Sequence, residues 1–233
     1  MIYVTGDLHG PAGLERLECW SEGREGDFLI VAGDFVDPWD YSEIECVEIV
    51  WLESLPYKVL FVDGNHERFG HWESRPTESW CGGMVQRLRD RSPVMRLMRS
   101  EVYNIDGVRI FTLGGATSID RAYRIPHVNW WPQEVPTERN FEEARANLGA
   151  VGWNVDYVVT HTCPRNLMAR TLYPSIPIPG LPDERLTRFL DEVDWRLDYK
   201  RWYYGHFHKD MDVDEKHVLL FERIVPIGEG VGN

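Results

Sequence analysis

Asp7 and His9, Asp34, Asn65 and His66, His161, and His206 and His208 all follow short apolar runs of the sequence, with Asp7, Asp34, Asn65 and His206 directly after a glycine. Carboxylate, imidazole and amide groups in such a mixture suit borderline divalent metals such as Mn, Fe, Zn, Co or Ni. Residues i and i+2 at a strand end face the same side, so Asp7 with His9, and His206 with His208, can each aim two groups at one point. A glycine just before a ligand lets the backbone turn sharply and approach an ion closely. These strand ends together offer at least seven such ligands. That is too many for one ion and suits a pair sharing a carboxylate. Two divalent ions against the carboxylates Asp7 and Asp34 leave a positive excess, which attracts a phosphate dianion. Neutral imidazoles and a single amide keep that excess; an all-carboxylate cage would cancel it.

Such a site needs a scaffold that gathers distant strand ends. Residues 2–5, 28–32 and 58–62 read as strands, the second a continuous apolar run of the kind buried on both faces. Between them, a stretch opened by Pro11 carries Leu14, Leu17 and Trp20 at helical spacing. Ser42 then caps a helix with Ile44, Val47, Ile49, Val50 and Leu52 on it. This β-α-β-α-β order implies right-handed crossovers and a parallel sheet, whose sites form beyond the carboxyl ends of its strands.

Residues 68–100, rich in Arg, Trp and Gly with weak periodicity, read as loops and short elements. Residues 101–105 and 108–113, joined by Asp106-Gly107, spell a hairpin. Residues 116–135 read as a long loop, and loops of that length are usually functional or disordered. Thr137 opens a helix carrying Asn140, Phe141, Ala144 and Leu148. Residues 155–160 read as a strand, 183–197 as a helix, and 202–205 and 217–221 as strands, the last in a terminal hairpin. With no internal repeat or linker, the expectation is a single domain over residues 1–233.

The 233 residues include 43% hydrophobic and 27% charged, ordinary for a soluble globular protein. A net charge of −13 opposes non-specific nucleic-acid or membrane binding, but metal ions can reverse the field locally. Cys19, Cys46, Cys81 and Cys163 form no CxxC pair and read as reduced thiols. No basic and apolar leader opens the sequence, and no apolar run nears the roughly 18 to 20 residues of a membrane helix. A cytoplasmic location is expected.

The series Asp7-Leu8-His9, Gly33-Asp34-Phe35-Val36-Asp37, Gly64-Asn65-His66-Glu67, His161 and Gly205-His206-Phe207-His208 resembles the five-block signature of the calcineurin-like metallophosphoesterases. The blocks occur in the family's order, and they run from residue 7 to residue 208. The resemblance implies an α/β fold, a four-layer αββα sandwich of two mixed β-sheets flanked by helices. It implies that Asp7, His9 and His208 hold one metal, that Asp34 bridges, and that Asn65, His161 and His206 hold the second. His66 would protonate the leaving oxygen with Asp37 orienting its ring, and a metal-bridging hydroxide would attack. The implied activity is metal-dependent hydrolysis of a phosphate mono- or diester. Its cofactors would be two divalent ions (Mn, Fe, Zn, Ni or Co, with Mn foremost in vitro), and its substrate small or nucleotide-like.

Phosphoprotein phosphatases of this superfamily follow the second aspartate of the second block with Arg and Gly. Here Pro38-Trp39 follows Asp37, so the phosphate-gripping arginine of that pattern is missing at this position. Nuclease activity is disfavoured by the charge, and a catalytically silent metal-binding scaffold by the complete ligand set with His66. Arg121 and Arg124 in the long loop, and Arg165 four residues past His161, are candidate grips on a phosphate, with solvated arginines as the even alternative. Trp130-Trp131 read first as core or loop anchors and second as a stacking surface. His71, His127 and His217 belong to no block and read as structural, and the run 87–91 reads as a solvated face.

Overall fold

The computed structural model describes residues 1–35, 43–118, 120–171 and 184–232, without the side chains of 11, 12 and 43–46. Asp37 and Ser42 lie outside the described residues, as does residue 183, the expected start of the 183–197 helix.

Strands β1 (Ile2–Thr5), β2 (Phe28–Val31) and β3 (Lys58–Phe61) run parallel and in register, Ile2 opposite Phe28 and Phe28 opposite Lys58. Their connections carry helices α1 (Pro11–Cys19) and α2 (Glu43–Ser54). Alternate strand residues face opposite ways. Val4, Ile30 and Leu60 enter one core cluster, while Tyr3, Leu29, Val31, Val59 and Phe61 enter another with Leu14, Leu17, Ile49, Leu52 and Trp72. Both faces being covered, each strand is apolar along its length, and this is why the runs show no alternation.

The segment 68–100 holds short elements, as expected, and they extend the first sheet. After the short helix α3 (Phe69–Glu73) it forms β4 (Thr77–Trp80), β5 (Gly83–Arg87) and β6 (Val94–Leu97). β6 pairs parallel with β3, and β5 and β4 follow antiparallel. Two features hide these strands. The edge strand β4 exposes Thr77, Glu78 and Ser79. The buried β6 carries an arginine, Arg96, tolerated because its guanidinium donates to Asp63 and Gln86.

The second sheet comprises β7 (Glu101–Ile105), β8 (Val108–Leu113), β9 (Tyr157–Thr160), β10 (Arg201–Tyr204), β11 (Met211–Asp212) and β12 (His217–Leu219). The β7–β8 hairpin turns where expected, with Asp106 and Gly107 at φ of 50° and 84°. β8, β9, β10 and β12 are parallel neighbours. β12 does form a hairpin with β11, but the chain then returns to the first sheet, where β13 (Ile224–Pro226) lies antiparallel to β1. The strand orders are β13-β1-β2-β3-β6-β5-β4 and β11-β12-β10-β9-β8-β7.

Helices α4 (Glu138–Ala150), α5 (Arg165–Thr171) and α6 (Glu184–Arg196) cover the outer face of the second sheet, where Phe141, Leu148, Leu167, Phe189 and Leu190 pack on Phe111, Val158, Trp202 and Tyr204. Thr137 and Asn140 close a reciprocal capping box at the start of α4. Between the sheets, Val4, Ile30 and Leu60 meet Ile110, Val159, Tyr203 and Val218. Three successive cores thus separate four layers, and the fold is the αββα sandwich of two mixed sheets. Among the described residues no helix is long and apolar enough to cross a membrane. Among the described residues, Cys19, Cys81 and Cys163 form no disulfide.

Candidate metal centre

The parallel strands of both sheets end on one side of the sandwich. β1 runs into Asp7 and His9, β2 into Asp34, and β3 into Asn65 and His66; β9 runs into His161, and β10 into His206 and His208. The loops are tight. Leu8 and His9 both donate their backbone N–H to the Asp34 carbonyl at 3.1 Å, and Glu67 Oε1 accepts from Gly64 N and Phe35 N at 3.0 and 3.1 Å. Glycine is required by space at these strand ends, at two of them against the carboxylates. A Cβ at Gly64 would stand 2.0 Å from Asp34 Oδ1, and one at Gly205 2.1 Å from Asp7 Oδ1.

Each carboxylate is anchored by one oxygen. Asp7 Oδ1 accepts from His206 N at 2.9 Å, and Asp34 Oδ1 from His66 N at 2.8 Å. The second oxygen of Asp7 faces two rings, with His208 Nε2 at 3.1 Å and His9 Nε2 at 3.4 Å. Neither is aligned for a hydrogen bond, and Asp7 Oδ2 is buried without one. The two Nε2 atoms lie 2.9 Å apart, and His9 Nε2 is 3.5 Å from Asp34 Oδ2. On the other side, His161 Nε2 lies 3.0 Å from Asn65 Oδ1 and 3.5 Å from Asp34 Oδ1. Its Nδ1, 2.7 Å from the Ala32 carbonyl, must carry a proton to donate there, which leaves Nε2 as the nitrogen available to a metal. Asp34 therefore touches both groups through different oxygens. The His206 ring packs edge-on to His161, with centroids 5.0 Å apart.

The fields are strong because the site is buried. Burial alone would raise the Asp7 carboxyl, but His208, His9 and His161 outweigh it and hold it well below the usual range. Asp34 is likewise held far down, with His161 the largest opposing influence to its burial. Burial would lower His161, yet Asp34 and Asp7 push it up to about 9. Burial, reinforced by His161, takes His206 down to about 3, so its imidazole is neutral.

A divalent cation fits this donor set. Asp7, His9 and His208 offer ligand atoms within 4.8 Å of one another, as do Asp7, Asp34 and His161. A buried carboxylate oxygen with no hydrogen bond, facing two imidazole nitrogens in near contact, is what a cation would satisfy.

His66 stands beside this cluster, its ring centroid 5.3 Å from that of His9. Its neighbour on the far side is a cation. Arg124 Nη1 lies 3.0 Å from His66 Nδ1, and Arg124 Nε donates to Asp120 at 2.8 Å. The carboxylate expected beside His66, Asp37, lies outside the described residues. Of the three candidate arginines, the described contacts join only Arg124 to the site. Arg121 is exposed at the start of the 3₁₀ turn Arg121–Tyr123, and Arg165 pairs with Glu184 on α6. Trp131 is buried, in keeping with an anchoring role. His217 is structural, held by Asp214, Asp194 and Tyr199.

Three positions around the site escaped the sequence reading. Arg16 of α1 donates to the Asp7 carbonyl at 2.9 Å and to the Phe221 carbonyl. Ser118 of the long loop accepts from the Asn65 amide, and Glu134 of the same loop holds Ser118. Arg16 sits on a helix with ordinary surface spacing, and Ser118 and Glu134 are 16 residues apart in an aperiodic stretch, so no local pattern marks any of them.

A family model described as calcineurin-like phosphoesterase matches residues 1–210. Among solved structures, phosphopantetheinyl hydrolase (PptH) from Mycobacterium tuberculosis is similar at 17% identity and a TM-score of 0.47, covering 94% of this chain and 89% of that one. No curated protein matches the sequence.

Proposed function

This chain belongs to the calcineurin-like phosphoesterase family, and from that premise we propose that it hydrolyses a small phosphate mono- or diester at a centre of two divalent ions. The observation that carries this reading is the meeting of His9 and His208 about an Asp7 oxygen buried without a hydrogen bond, with Asp34, His161 and Asn65 in a second group beside it.

Asp7, His9 and His208 would hold one ion, Asn65, His161 and His206 the other, with Asp34 between them. Ions such as Mn, Fe, Zn, Ni or Co would supply the positive charge that binds a phosphate and lowers the pKa of a coordinated water. The chain's own residues do the rest. Gly64 and Gly205 leave room for the Asp34 and Asp7 carboxylates, and the amides of His66 and His206 fix their orientation. The Ala32 carbonyl holds the His161 tautomer. His66, beside the cluster rather than in it, would give a proton to the leaving oxygen, and Arg124 would meet the phosphate next to it. A nucleotide-like substrate agrees with the acidic surface better than a nucleic acid does.

The test is hydrolysis of a p-nitrophenyl monoester and diester by metal-stripped protein reloaded with Mn, Ni, Co, Zn or anaerobic Fe(II). Metal-dependent release of nitrophenolate is expected, and the ratio of the two rates assigns the ester class. A fully metal-loaded protein inert on both esters and on a nucleotide panel would sink the reading and favour a binding scaffold.

A further inference from the structure

We infer that Ser118 and Glu134 form a proton-orientation lock that sets which end of the Asn65 amide faces the metal centre; this rests on the metal-centre reading above. An asparagine ligates through its oxygen only, and its two ends are nearly the same shape, so something must forbid the flipped rotamer. Here Asn65 Nδ2 donates to Ser118 Oγ at 3.2 Å, which turns Oδ1 toward His161 Nε2. A serine hydroxyl alone does not enforce this, because it donates as readily as it accepts.

Glu134 removes that freedom. Its Oε1 accepts from the Ser118 backbone N–H at 3.1 Å, and its Oε2 from Ser118 Oγ at 2.6 Å. An ionised carboxylate only accepts, so the hydroxyl proton must point at Glu134. Ser118 Oγ is then an acceptor toward Asn65, and only the NH2 end of the amide can face it. All three side chains are buried, so water cannot substitute. Glu134 is fixed in turn, since Arg99 Nη2 donates to the carbonyls of Gln133 and Glu134 at 2.8 and 3.2 Å. Arg99 is clamped by Asp63, two residues before Asn65 on the same strand end. The chain of contacts closes on itself. Ser118 and Glu134 are positioning residues, acting on the ion through Asn65.

The lock makes an unusual demand of a conservative change. In Glu134→Gln, the fixed Ser118 N–H claims the amide oxygen and the new NH2 donates to Ser118 Oγ. The hydroxyl proton, no longer held by a carboxylate, is then free to turn to Asn65, and the amide can present its oxygen to it and its NH2 to the ion. Ser118→Ala leaves Asn65 unheld but not reversed. Asn65→Asp carries an oxygen at both ends and has nothing to flip.

Mn2+ titration of metal-free protein, followed by calorimetry and by the EPR signal of free Mn2+, reads affinity without turnover. Wild type is expected to bind two equivalents. E134Q should weaken one of them at least tenfold and leave the other unchanged, and S118A should weaken the same one less. E134Q in the N65D background should cost less than twofold. Should E134Q bind both equivalents like wild type, the lock is wrong while the two-ion reading stands. An equal loss in the N65D background would show that Glu134 acts on the fold and not through the amide, which also overturns it. Should E134Q fail to fold, as read by circular dichroism, unchanged binding by S118A overturns the lock alone. Fewer than two equivalents on wild type would defeat the metal reading and the lock together.

Discussion

Arg124 meets His66 beside the candidate centre, its Nη1 3.0 Å from Nδ1 and its Nη2 3.5 Å from Nε2 of the same ring. An arginine only donates, so the ring nitrogen it meets must accept, and the imidazole in this pairing is neutral. Burial lowers the His66 pKa, Asp34 opposes it, and the smaller influence of Arg124 adds to that of burial. An arriving phosphate is a better partner for the guanidinium and would draw it off the ring. Arg124→Ala should therefore raise KM for a phosphomonoester about tenfold or more, the scale of a lost charge-assisted hydrogen bond. Removing the positive charge raises the His66 pKa, so the alkaline limb of kcat/KM should move to higher pH. A pH profile with unchanged KM and an unchanged limb would exclude Arg124 from substrate binding.

Turnover and metal binding should separate by residue. Asp34 lies within 3.5 Å of both His9 and His161, so Asp34→Ala is expected to lose metal and activity together. His66→Asn should keep the metals and lose roughly 10²- to 10⁴-fold in rate, the usual contribution of a general acid. The loss should be smaller for p-nitrophenyl phosphate than for an alkyl phosphate, because a good leaving group needs less protonation. Equal losses on both esters would argue that His66 does not protonate the leaving oxygen.

Two histidines outside the site should make opposite contributions to stability against pH. His217 is opposed by burial but raised overall by Asp194 and Asp214, so its contribution is full below the unfolded value near 6.5. That contribution is lost as pH rises through the folded value. Burial, helped by Arg75 and Arg68, lowers His71 to about 4, so the unfolded state takes up its proton first. Stability then falls as pH drops from about 6.5 toward 4. Thermal melts should show His217→Gln losing more Tm at pH 5.5 than at pH 9. His71→Gln should flatten the acid side of the wild-type curve. Parallel curves for either variant would refute the corresponding shift.

The parallel half of the first sheet was legible because burial on both faces writes itself as unbroken apolar runs such as 28–32. The candidate ligands were legible because each sits at the end of such a run, where a strand must release its chain. β4 and β6 were not, since one is an exposed edge and the other buries Arg96 against Asp63, 33 residues away. The Ser118–Glu134 contact to Asn65 was invisible for the same reason. It is made by tertiary packing of a loop whose spacing carries no period.

Metal should also be felt by the fold. His9, Asp34, His206 and His208 adopt φ of 49°, 46°, 70° and 49°, left-handed conformations that side chains seldom take. Asp7 and Asp34 bury two carboxylates within reach of each other's partners. Without cations this region holds strain and like charge that the rest of the sandwich must offset. Ions that bind only the folded state stabilise it by about 4 kcal/mol per site at a thousandfold excess over Kd. For a chain of this size, about 1 kcal/mol moves Tm by roughly 2–4 °C, so each filled site should add roughly 8–16 °C. Chelation should reverse the rise, and Asp34→Asn should blunt it. A melting curve indifferent to metal and chelator alike would mean that these residues carry no tightly held ion.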